Sequence, residues 1–82
     1  MMMQKNFLDF MSFLTDPDCP WATSVVNTHT SYIDVMFVTS CKVRPSDLGW
    51  LNTHVVGGEW FITSENDEIH IVVRFHNDDE KL

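Results

Sequence analysis

Four histidines, two cysteines and three groups of acids are the side chains of this 82-residue chain best suited to chemistry. A metal centre would need His, Cys or carboxylate ligands at spacings that bring them together. His29, His54, His70 and His76 show no i, i+4 pair with a nearby acid, and Cys19 and Cys41 form no Cys-x-x-Cys. His70 and His76 fall on one face of a strand but stand roughly 20 Å apart along it, too far to share an ion. Only a set assembled by the fold from Cys19, Cys41 and His54 would remain, so the expectation is polar-face histidines, no metal and no cofactor. Nucleophilic catalysis asks for Ser or Cys beside an oriented His, and no local signature places them together. Gly57-Gly58 lies between a helical and a strand-like segment, the reverse of a phosphate loop, and reads as a helix stop. No catalytic residue is assigned and the chain is not read as an enzyme.

Asp16-Pro17-Asp18-Cys19-Pro20-Trp21, followed by Thr28-His29, resembles the opening of MazG-type nucleotide pyrophosphohydrolases. The resemblance spans residues 16–29 and then departs from that family. Ala22 stands where the family has Asp, the spacing to Thr28-His29 is longer, and no Glu-Glu-x-x-Glu helix follows to hold magnesium. No residue role is carried over.

The acids carry more information. Twelve Asp and Glu against five Lys and Arg give a net charge of −7. Glu65, Asp67 and Glu68 form one group, Asp78, Asp79 and Glu80 a second, and Asp16 and Asp18 a third. Half of the acids lie in the last eighteen residues, opposed there only by Arg74 and Lys81. Such a chain is repelled by nucleic-acid backbones and anionic membranes, so direct binding to either is not expected. Spaced carboxylates suit the basic groove of a protein that itself binds nucleic acid, and exposed Trp21, Trp50 and Tyr32 would anchor the contact. The expected function is a small acidic inhibitor of a basic partner, such as a nuclease or other nucleic-acid-binding effector. Phage-encoded anti-CRISPR and anti-restriction proteins, and immunity proteins against nuclease toxins, share this profile. The alternative is a small-molecule-binding or enzymatic subunit whose site forms on oligomerisation, with Cys41, His54 and Trp50 around a pocket.

The elements that must position these groups fit one α+β domain over residues 1–82. Met3, Phe7, Phe10, Met11 and Leu14 make a helical stripe over 3–14, ended by Asp16-Pro17. Leu8 and Phe13 lie off that stripe and offer a homodimer face. Weak strand character at 22–27 precedes a better strand at 32–43, in which Ile33, Val35 and Phe37 alternate with Asp34, Met36 and Val38. A second helix begins near Ser46 as N-cap and carries Leu48, Leu51 and Val55 inward.

Strands 59–64 and 69–76 form a hairpin with Ile62 opposite Ile71, Trp60 opposite Val73 and Glu59 opposite Arg74. A wide loop over 65–68 is expected, because a two-residue turn would set Glu65 against Glu68. Residues 77–82 read as a frayed tail. The order α-β-β-α-β-β suits a mainly antiparallel four-stranded sheet, with a β-grasp-like arrangement as one topology. No apolar run exceeds four residues, far short of the ~20 that a bilayer needs. Without an export signal, both cysteines read as reduced thiols in the cytoplasm.

Overall fold

A computed structural model describes residues 5–21, 24–39 and 42–76. They form α1 (Lys5–Phe13), β1 (Val25–Thr28), β2 (Tyr32–Thr39), α2 (Pro45–His54), β3 (Glu59–Glu65) and β4 (Glu68–His76), in the expected α+β order. The sheet runs β1-β2-β4-β3 and every neighbouring pair is antiparallel. The β-grasp alternative fails here, because it requires the two central strands to be parallel. The β3–β4 hairpin returns the chain between β2 and β3, so the α2 crossover joins parallel strands with β4 inserted between them.

Alternation decides which side of each strand is buried. Val35 and Phe37 from β2 and Ile71, Val73 and Phe75 from β4 meet Phe10 of α1 and Trp50 and Leu51 of α2 in one core. Phe10 sits at its centre, with ring centroids 5.6 Å from Phe75, 5.9 Å from Trp50 and 6.3 Å from Phe37. The two helices therefore lie on the same face. The molecule is 17 Å thick in its shortest dimension, the depth of two layers.

Local chemistry explains the element ends. Arg44, not Ser46, is the N-cap of α2: Pro45 opens the helix, and the Asp47 carboxylate accepts the Arg44 backbone N–H at 3.0 Å. Pro fits this position because its missing N–H would have had no helical partner. The inward stripe of α2 is Asp47, Trp50 and Leu51, rotated from the expected one, with Leu48 and Val55 half-buried. On α1, Phe13 meets the His54 ring at 4.8 Å, while Leu8 stays exposed. The apolar surplus of α1 thus narrows to one residue.

The hairpin has the expected register throughout, but its turn is tighter. Asn66 and Asp67 have φ of 53° and 66°, and Glu65 pairs with Glu68. Positive φ at both central residues marks a two-residue type I′ turn, the type whose twist matches the strands. Asn and Asp tolerate that region better than most residues.

Gly58 is required by close approach. A Cβ there would lie 2.7 Å from the Phe75 ring and 2.8 Å from the Arg74 carbonyl oxygen. Gly58→Ala is expected to cost about 1–3 kcal/mol, the usual range for overpacking. Urea denaturation of the variant checks this, and an unchanged midpoint would contradict the packing described.

Candidate functional site

The face of the sheet opposite the helices carries most of the polar chemistry. Its side chains form rows across the strands, read directly from the pairing register. Tyr32 faces His76; the next row is Asn27, Asp34, Arg74 and Glu59; the next is Val25, Met36, Val72 and Phe61. Val38, His70 and Thr63 follow, and Glu68 and Glu65 close the series at the hairpin tip.

One ion pair organises the end of this face near Tyr32. Arg74 Nε and Nη2 donate to the two carboxylate oxygens of Asp34 at 2.8 and 3.0 Å, a bidentate fork. The guanidinium carbon lies 4.0 Å from the Tyr32 ring centroid and 5.1 Å from that of Phe61, so the cation is enclosed by two aromatic faces. Asp34 is only 8% exposed, on a face that no described helix covers. The hydrogen bond to Asp34 raises the Arg74 pKa above its ordinary value, against a smaller opposing effect of desolvation.

The histidines attach to this framework. His29 stacks on Tyr32 at 4.4 Å with Nε2 3.9 Å from Asp34, and His76 Nε2 lies 2.9 Å from Glu59 Oε2. His70 Nε2 is 3.4 Å from Glu68 Oε1, too poorly aligned to be a hydrogen bond. His54 is on the other side of the molecule, stacked on Trp50 at 4.3 Å with Nδ1 2.8 Å from the Trp50 carbonyl. Among the described residues no three His, Cys, Asp or Glu converge as metal ligands. Cys19 is a free thiol whose Sγ lies 3.5 Å from the Trp21 carbonyl, while Cys41 is outside the described residues. No described helix is long and apolar enough to cross a membrane.

The residues expected to bind a partner are divided by the fold. Glu65, Asp67 and Glu68 are brought together, all exposed, with Asp67 in the tight turn and the two Glu flanking it. Tyr32 is on the open face but pairs with the far end of β4, eight residues from Glu68, or about 26 Å along a strand. The two tryptophans are not exposed anchors. Trp50 is buried against Phe10, and half-buried Trp21 stacks on Phe37 at 5.3 Å. Each encloses its indole N–H without a hydrogen-bond partner among the described residues, the cost of using a large polar-tipped ring as core. Asp78, Asp79 and Glu80 lie outside the described residues.

Sequence reasoning passed over the Asp34–Arg74 fork. Both residues sit on polar strand positions, but the pairing of β2 with β4 is a strand-order fact that neither segment encodes locally. No family model, curated protein or solved structure shows a significant match to this chain.

Proposed function

We propose that the chain is an acidic binding protein, not an enzyme, that docks on a basic partner and blocks its nucleic-acid-binding surface in the cytoplasm. One observation carries this reading. Three of the four residues at the hairpin tip are exposed carboxylates, held on a rigid two-residue turn at the end of a sheet face that no described helix covers. A short, fixed carboxylate cluster presents charge at phosphate-like density and costs little ordering entropy on docking. Behind it, Val38, Met36, Val72 and Phe61 supply the apolar area that charge alone does not provide. Anti-defence inhibitors and immunity proteins against nuclease toxins are the functional class that this profile fits.

The test compares two triple reversals. Glu65→Lys, Asp67→Lys and Glu68→Lys together move the net charge from −7 to −1. So do Asp9→Lys, Asp16→Lys and Asp18→Lys, at exposed positions elsewhere. Wild-type protein immobilised as bait is expected to retain a basic protein from lysate of its own cell, with retention falling as salt rises. Removal of steering charges is expected to slow association by about 10- to 1000-fold for the tip variant only. Equal loss from both variants, or none from either, would overturn the assignment to the tip. Unchanged nucleic-acid binding by the captured protein on adding wild-type chain would overturn the inhibitory reading.

A further inference from the structure

The two edges of the sheet are not alike. An edge strand exposes a row of backbone donors and acceptors, and proteins commonly blunt it by shortness, Pro, Lys or a bulge. β1 is short, at four residues. β3 is seven residues long, runs without a bulge against β4, and has no Pro, Lys or other charge between Glu59 and Glu65. Phe61 and Ile62, on opposite faces of it, are 36% and 43% exposed. We propose that the edge of β3 pairs with β3 of a second copy of this chain, antiparallel about a twofold axis through Phe61.

The turn determines which groups face outward. In a two-residue hairpin the flanking residues, Glu65 and Glu68, exchange both hydrogen bonds, and the pattern then alternates along the ladder. Thr63, Phe61 and Glu59 therefore bond inward to β4, while Trp60, Ile62 and Ser64 direct N–H and C=O to the free edge. A twofold through Phe61 joins outward residues to outward residues, Trp60 to Ile62 of the second copy and the reverse. Phe61 meets its own copy as a non-hydrogen-bonded pair, the geometry in which side chains come closest.

Charge selects this register over its neighbour. A twofold through Ile62 would also match outward groups, but it sets Glu59 against Glu65 at both ends. The twofold through Phe61 instead sets Glu59 against Thr63 and leaves Glu65 beyond the overlap. The two acidic tips then lie eight residues apart, about 26 Å, well past the ~8 Å Debye length at physiological salt. Both faces also gain continuity. The row Val25, Met36, Val72 and Phe61 meets its own image on the open side, and Ile62 is covered by Trp60 of the second copy on the helix side.

The tests are sedimentation velocity over a concentration series, amide exchange, and cross-linking of single-cysteine additions. Wild-type protein is expected to shift from monomer to dimer mass with rising concentration, and the amides of Trp60 and Ile62 to slow with it. Phe61→Cys is expected to form a disulfide dimer under mild oxidation, since facing non-hydrogen-bonded positions come within the disulfide range of about 4.4–6.8 Å between Cα atoms. Thr63→Cys is not, because its counterpart stands about 13 Å away along the strand. Both variants keep Cys19 and Cys41, so linkage through those residues would appear in each. A chain that stays monomeric with unchanged exchange overturns the proposal and leaves the edge to a strand of another protein. Cross-linking at Ile62→Cys rather than Phe61→Cys overturns the register. A dimer broken by Leu8→Glu overturns the interface in favour of α1.

Discussion

Phe10→Ala is expected to destabilise the protein by about 3–5 kcal/mol, the range for truncating a fully buried phenylalanine. Phe10 has no exposed surface and touches rings from β2, α2 and β4. It is the one residue of α1 that is fully buried in the core, with Phe7, Met11 and Phe13 packed around it. A domain of 82 residues has roughly 4–12 kcal/mol of stability in total, so the variant would lose a large share of it. Phe10→Leu keeps most of the apolar volume and is expected to cost about 1.5 kcal/mol. Leu8→Ala, on the same helix but 44% exposed, is expected to change stability by no more than about 0.5 kcal/mol. Urea unfolding followed by tryptophan fluorescence ranks the three. A Phe10→Ala loss below that of Leu8→Ala would show that α1 does not dock as described.

The parts of this fold legible in sequence are those set by neighbours along the chain. The hairpin register follows from matching Trp60, Ile62 and Glu59 against Val73, Ile71 and Arg74, all within sixteen residues. The stripe Met3, Phe7, Phe10, Met11 and Leu14 is equally local; Met3 lies outside the described residues, and Phe7, Met11 and Leu14 pack around Phe10 against the core. The turn is tighter than expected because backbone geometry outweighs the repulsion between Glu65 and Glu68. Surface charges at this spacing cost little in water, whereas a turn with the wrong twist splays both strands. Trp50 is hidden for another reason. The spacing of Leu48, Leu51 and Val55 leaves the indole outside the stripe; Leu51 is buried as that spacing requires, but Trp50 also turns inward, against Phe10. Strand order was beyond reach, because it depends on which edge β4 joins after the crossover.

Arg74→Ala is expected to cost about 2–4 kcal/mol, most of it the penalty of leaving the Asp34 carboxylate enclosed without its cation. The pair is not a typical surface ion pair. It is bidentate, its carboxylate side chain is 12% exposed, and aromatic rings cover the guanidinium. Arg74→Lys keeps the charge but loses the fork and the flat stacking surface, so it is expected to recover only part of the loss. Combining Arg74→Met with Asp34→Leu removes the enclosed charge and is expected to restore much of what either single change costs.

The pH dependence follows from the raised Arg74 pKa. A cation whose pKa rises on folding contributes fully below its ordinary value and loses that contribution only as pH climbs through the raised one. The cost of Arg74→Ala should therefore be the same at neutral and mildly alkaline pH. A loss under about 1 kcal/mol, as for an exposed pair, would instead place Arg74 in solvent, free to meet an anion. Held by Asp34 and two rings, it is a structural strut of the open face.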